Sequence, residues 1–240
     1  MFISSYHFLP LIVLLIAVVT VSVRTDKLTL PGAITGGVIA LLIFTGAGYT
    51  GLAMLATFFI LGTAATVWKK NEKLLIKIDE GQSVKRNAGQ VLANGGMAGI
   101  MGLLIYLIPA QTELFRLMMG AGLASAMADT LSSELGIVYG RNFYNIITFK
   151  KDGRGLDGVI SLEGTLIGIV GSILIAVIYG IGFGWSNSFT IIIVTGTIGN
   201  LADSVLGALW ERKHYLNNDA VNFLNTFIAA IAAVGFAFVF

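Results

Sequence analysis

The chain contains no cysteine, which excludes disulfides and thiolate metal sites and leaves the redox compartment unmarked. Histidine is almost as scarce: His7 and His214 stand alone without a partner at ligand spacing, and an interfacial role is the default for each. Charge is also thin, at 12% of residues, about half the usual share of a soluble domain, so no soluble domain and no nucleic-acid partner is expected. No GxxxxGK[ST] phosphate loop occurs. The opening MFISSYHFLPLIVLL lacks the basic flank and small-residue cleavage site of a signal peptide and is expected to be a retained first span.

What fills the space is apolar. Of 240 residues 56% are hydrophobic and mean hydropathy is +0.86, which points to an all-α, polytopic transmembrane bundle forming one integral-membrane domain over 1–240. Runs of bilayer length fall near 5–23, 30–46, 48–68, 88–108, 115–138, 158–181, 187–210 and 219–240. That makes eight spans; because the second is short and shares the link through Gly46 and Gly48 with the third, seven spans or a re-entrant pair stand as alternatives. Fourteen of the fifteen Lys and Arg residues fall in odd-numbered loops and only Arg116 in an even one, so both termini are expected outside. The two main basic loops, about 69–87 and the glycine-rich 140–157, are then cytoplasmic. The thirty glycines, many four apart as in Gly164 and Gly168, read as helix-packing seams.

The polar residues that remain inside these spans are few and gather at one depth. A mid-helix Asp costs about 2.5 to 3.5 kcal/mol to insert, so Asp129 and Glu134 are the first residues that call for a functional explanation. Gln90 and Asn94 open the fourth span, while Asp129, Thr130, Ser132, Ser133 and Glu134 close the fifth. Ser161 and Glu163 open the sixth; Asn200, Asp203 and Ser204 lie late in the seventh, before Glu211; Asn218, Asn222 and Asn225 open the eighth. Spacings of three and four put the amides of each helix on one face. Five helices should therefore line one cavity, with the positive ends of spans four, six and eight suited to phosphate. Asn87 and Asn218 or Asp219 are expected to cap two of these helices. Carboxylates, waters and phosphate oxygens are the ligands Mg²⁺ takes, and the loop KKDGRGLDG offers cations on a pliant backbone. Together they suggest a phosphorylated substrate and a metal-bound nucleotide. ADTLSSELG at 128 and ADSVLGALW at 202 form an internal echo that a duplication would explain.

Six segments carry a resemblance: KLTLPGAITG (27–36), GQVLANGG (89–96), ADTLSSELG (128–136), GRGLDGVIS (153–161), GNLADSVLGALWER (199–212) and NNDAVNFLNT (217–226). In these the chain resembles the integral-membrane family that includes the plant phytyl-phosphate kinase of tocopherol synthesis. It is more distantly similar to the phytol and dolichol kinases and the CDP-diacylglycerol synthases, which use CTP. The resemblance implies phosphoryl transfer from a nucleoside triphosphate, CTP favoured, to an isoprenoid monophosphate. On that reading Asp129 and Asp203 are Mg²⁺ ligands, with Glu134 a third ligand or a close neighbour, and Lys151 and Arg154 act on phosphates. Asn94, Asn222 and Asn225 orient the nucleotide or the metal's waters, and Ser133, Lys150, Gly155, Ser161, Asn200 and Ser204 complete the binding wall. The expected setting is a prokaryotic cytoplasmic membrane with the site facing the cytoplasm, the oligomeric state being left open. An ion-coupled transporter and a cytidylyltransferase acting on a lipid phosphate stand as the alternatives.

Overall fold

In the computed structural model, which describes residues 8–76 and 85–239, most of the described residues are helical. They are α1 (Phe8–Arg24), α2 (Leu30–Val67), the short α3 (Lys70–Leu74), α4 (Ala88–Leu107), α5 (Thr112–Tyr139), α6 (Leu162–Phe183), α7 (Asn187–Leu206) and α8 (Asn218–Ala237). A π-helical turn, Gly207–Glu211, extends α7, and two-residue strands β1 (Tyr144–Asn145) and β2 (Val159–Ile160) pair antiparallel between α5 and α6. Five helices among the described residues are long and apolar enough to cross a membrane: Leu30–Val67, Ala88–Leu107, Leu162–Phe183, Asn187–Glu211 and Asn218–Ala237. His7 and residues 77–84 of the first basic loop lie outside the described residues.

At 38 residues, α2 would reach almost 60 Å if straight. Gly48 prevents this. Its φ of 60° and ψ of −149° belong to a region essentially reserved for glycine, and the chain folds back there. Gly51 consequently packs against Ile43 and Ala47, while Gly32 and Gly62, thirty positions apart, both abut Arg86. The arms 30–47 and 49–67 are thus antiparallel, matching the two short runs in the sequence.

The centre is α5, which packs against α2, α4, α6, α7 and α8. Its stretch LMMGAGLASAMA, 117–128, is buried at every position, as suits a helix surrounded on all sides. Small residues let its neighbours approach. Gly136 meets Gly164 of α6, and Gly168 lies against the Ala128 carbonyl and the Asn200 amide. The outer surface of the bundle carries exposed Ile, Leu and Val, including Ile12, Ile16, Val38, Ile60, Leu166 and Ile231, which is what a hydrocarbon solvent favours.

Helix starts are tied down by side chains. Thr29 caps α2, Asn87 and Gln90 form a reciprocal capping box on α4, and Ser161 caps α6. The cap of α8 is Asn217, whose side chain accepts from the Ala220 N–H at 2.9 Å, rather than Asn218 or Asp219. Asn218 instead accepts from Asn222 Nδ2 at 2.7 Å. Extended residues before α2 and α4 join through Arg86 N to Lys27 O (3.0 Å) and Thr29 N to Arg86 O (3.1 Å), so these two helices begin side by side.

Candidate functional site

At the end of the bundle where α4, α6 and α8 begin and α5 and α7 finish lies a cavity of about 280 Å³. Its wall takes in Asn94, Asp129, Ser133, Glu134, Gly155, Ser161, Asn200, Asp203, Ser204 and Asn222, residues spread over 129 positions. Helix direction explains the gathering. Three helices bring their N-terminal polar turns to this level, and two bring their last turns, so the short polar stripes of five elements coincide in depth.

At its heart the carboxyl groups of Asp129, on α5, and Asp203, on α7, lie next to each other. These are the Asp residues of the two echoed triplets. Two carboxylates in contact repel unless a proton or a cation lies between them. Asn225 Nδ2 donates to Asp203 Oδ1 at 2.7 Å, and its own Oδ1 accepts from Ser125 Oγ at 2.9 Å. Asn225 is fully buried and stands behind the wall. Ser132 Oγ donates to Asn200 Oδ1 at 2.9 Å, which fixes the second amide. Asp157 and Glu211 lie close enough to Asp203 to add to the negative field. Among the described residues no three His, Asp or Glu side chains are grouped as a metal site.

Glu134, also in the wall, is already engaged by a cation. Its carboxylate binds Lys73 Nζ at 2.5 Å, and the same ammonium donates to the carbonyls of Ala65 and Thr66 at 2.8 Å each. Lys73 is thereby both ion-pair partner and cap for the end of α2. Sequence reasoning missed it, because five residues, KNEKL, give no span signal and read as exposed loop.

The cations also differ from expectation. Arg154 Nε donates to Ile137 O at 2.5 Å, its Nη2 to Val138 O at 3.3 Å, and its guanidinium lies 5.6 Å from the centre of the Phe143 ring. It closes the C-terminus of α5, where a cation suits the dipole, rather than pointing into the cavity. Lys150 and Lys151 are exposed on the loop and do not line the cavity. The cation in the wall is Arg86, 5.8 Å from the Phe58 ring centre and beside Gly62 and Thr130. Burial lowers its pKa and the nearby Glu134 charge opposes that shift. Leading into GQVLANGG, Lys85 and Arg86 are the phosphate-handling candidates that the sequence itself marks in the first basic loop, and Arg86 is the one in the wall.

The loop 140–161 is held firmly over the cavity. Arg212, after the π turn, binds Asp152 Oδ2 at 2.8 Å and the Asp157 carbonyl through Nε (3.1 Å) and Nη2 (2.7 Å). The Arg212 contact and the Gly153 N–H hold the Asp152 carboxyl below its usual range. Gly158, at φ 71°, presses its Cα on the backbone of Ala208, where a side chain would collide.

With this geometry in view, comparison with known proteins defines the class: residues 13–230 match the family described as Integral membrane protein DUF92, and the chain belongs to it. It is 33% identical to Protein VTE6, chloroplastic, of Arabidopsis thaliana over 78% of its own length and 58% of that protein's, so it spans less than two thirds of that relative. It is also 33% identical to an uncharacterized membrane protein, MJ0933, of Methanocaldococcus jannaschii, covering 92% and 91% of the two chains. A third relative, the uncharacterized membrane protein sll0875 of Synechocystis, is 31% identical over 82% and 78%. No solved structure matches.

Proposed function

We propose that this protein is a membrane-embedded isoprenoid-monophosphate kinase that uses a nucleoside triphosphate, CTP favoured, with Mg²⁺. The observation that carries the proposal is the Asp129–Asp203 contact on a polar cavity whose wall also holds Arg86 and three helix N-termini. The similarity to Protein VTE6 and the resemblance to the phytyl-phosphate kinase family support it. We further propose that the two arms of α2 cross separately, for eight crossings, with both termini on the face opposite the cavity. The cavity then opens to the cytoplasm, the side that carries nearly all Lys and Arg.

The donor set fits magnesium. Two carboxylates from facing helices, amide oxygens of Asn200 and Asn222 nearby, and room for waters and phosphate oxygens suit an ion that keeps much of its hydration. Asp129 and Asp203 would hold the ion, whose chemistry there would be neutralisation of charge on the transferring phosphoryl group. Asn225 holds Asp203 in place for that task, and Ser132 holds Asn200. Arg86 takes phosphate oxygens as a planar fork, and the first turns of α4, α6 and α8 present free N–H groups to the rest. In the transfer, an oxygen of the acceptor phosphate attacks the terminal phosphorus of the triphosphate. The bond to the β-phosphate oxygen breaks, and CDP leaves as the prenyl diphosphate forms. The attacking oxygen is already ionised, so no general base is needed.

The test uses purified protein, Mg²⁺, CTP labelled in either the γ or the α phosphate, and a panel of prenyl monophosphates. The γ label should reach lipid, and Asp129→Asn or Asp203→Asn should abolish transfer. Incorporation of the α label would instead show cytidylyl transfer, and incorporation of neither would overturn both enzyme readings.

A further inference from the structure

A second concavity lies on the outside of the bundle, between the first arm of α2, α4 and α8. It is a groove of about 760 Å³, in the range of ligand sites, and almost wholly apolar. Ile34, Val38 and Leu42 form one bank, Leu92, Ile100 and Leu103 another, and Phe223 closes it on the α8 side. Its polar exceptions are Thr35, whose hydroxyl is used on the Pro31 carbonyl at 2.9 Å, and Asp219 at one end.

That end adjoins the cavity. On α4, Gly89 and Ala93 face the groove while the adjacent Gln90 and Asn94 face the cavity; on α8, Asp219 and Phe223 face the groove while Asn218 and Asn222 face the cavity. The first turns of two helices are therefore a shared wall with a polar and an apolar side. At Gly89 the two helices pack so closely that a Cβ would strike the Asp219 carboxyl. From Gly89 to Leu103 the groove runs fourteen residues of helix, about 21 Å at 1.5 Å per residue. An extended chain advances about 1.2 Å per bond, so about seventeen bonds fit.

We infer that this groove holds the hydrocarbon tail of the phosphorylated substrate, with the phosphate rounding the start of α4 or α8 into the cavity. The occupant is a single isoprenoid or similar chain of about sixteen to eighteen backbone atoms, and Ile100, Leu103 and Leu42 at the far end limit its length. Annular lipid alone would not require an apolar trough ending at the polar wall. The inference rests on the proposed lipid-phosphate substrate, but its test does not depend on turnover.

The probe is a C20 prenyl monophosphate carrying a diazirine at its distal end, cross-linked to the purified protein in phosphatidylcholine nanodiscs and mapped by mass spectrometry. Label on residues 38–42 and 100–103, competed by unlabelled C20 monophosphate at least about tenfold better than by phosphatidylcholine, is the expected result. Gly96→Leu should reduce labelling at those positions about tenfold, since the side chain would enter the groove beside Phe223. Label spread over other lipid-facing helices, or equal competition by phosphatidylcholine, would overturn the inference. A labelled groove without phosphoryl transfer would leave it standing while removing the kinase reading.

Discussion

The ion pair between Lys73 and Glu134 permits a prediction with a magnitude. Their side chains are only 6% and 17% exposed, so each shields the other from an unfavourable environment. Removing one partner of a buried pair costs about 3 to 5 kcal/mol. Lys73 keeps two carbonyl acceptors when Glu134 becomes Ala, which places that loss near the lower end, about 3 kcal/mol. Lys73→Met leaves Glu134 within the field of Arg86 but strips the cap from α2, a loss of about 2 kcal/mol. In the double variant Lys73→Met, Glu134→Ala no charge is stranded, and the coupling should recover about 2 to 3 kcal/mol. Denaturant unfolding in detergent, followed by tryptophan fluorescence, measures all four corners of the cycle. Additive losses would refute the pairing. Activity then separates the two roles of Glu134: a double variant that regains stability and turnover shows a partner of Lys73, whereas one that regains stability alone shows a group acting at the metal.

Arg86→Gln should weaken CTP affinity by about tenfold or more, the scale of one charged hydrogen bond, with Arg86→Lys intermediate, while Lys150→Gln or Lys151→Gln changes it less than about threefold. Titration calorimetry decides the ranking, and the reverse order would return the phosphate role to the loop. Docking of the loop 140–161 should depend on acid pH. Because Arg212 lowers the folded-state pKa of Asp152, the stabilisation is complete above the unfolded value of about 3.9 and disappears as pH falls through the lower folded value. Hydrogen-exchange protection over that loop, corrected for the intrinsic rate at each pH, should therefore be flat from about pH 8 to 5 and fall below about 4 only when Asp152 is present, Asp152→Asn being less protected throughout.

Much of the bundle could be read from hydropathy, because a spanning helix needs a sustained apolar run and little else does. The reversal at Gly48 was legible as a glycine link between two short runs, although its positive φ was not. Depth bookkeeping also brought Asn94, Asp129, Asn200, Asp203 and Asn222 to one level, since helix rise is fixed and the charged loops set each helix's direction. What escaped were partnerships set by azimuth and by loop paths. Rise per residue cannot say that Glu134 turns towards Lys73 and Asp129 towards Asp203. Nor can a count of cations show that Arg154 reaches back seventeen positions to the carbonyl of Ile137. The capping of α8 by Asn217 rather than its neighbour was a one-residue matter of local geometry that an NND run leaves open.

The central claim is that Asp129 and Asp203 jointly hold a divalent cation beside a nucleotide. Mn²⁺ can replace Mg²⁺ as an electron-paramagnetic probe, titrated into purified protein with and without CTP. Bound Mn²⁺ should appear at one site per chain, tighten with CTP, and weaken at least about tenfold in Asp129→Asn and in Asp203→Asn, each about 1.4 kcal/mol or more. Unchanged Mn²⁺ affinity in both variants, with the protein still folded, would contradict the claim.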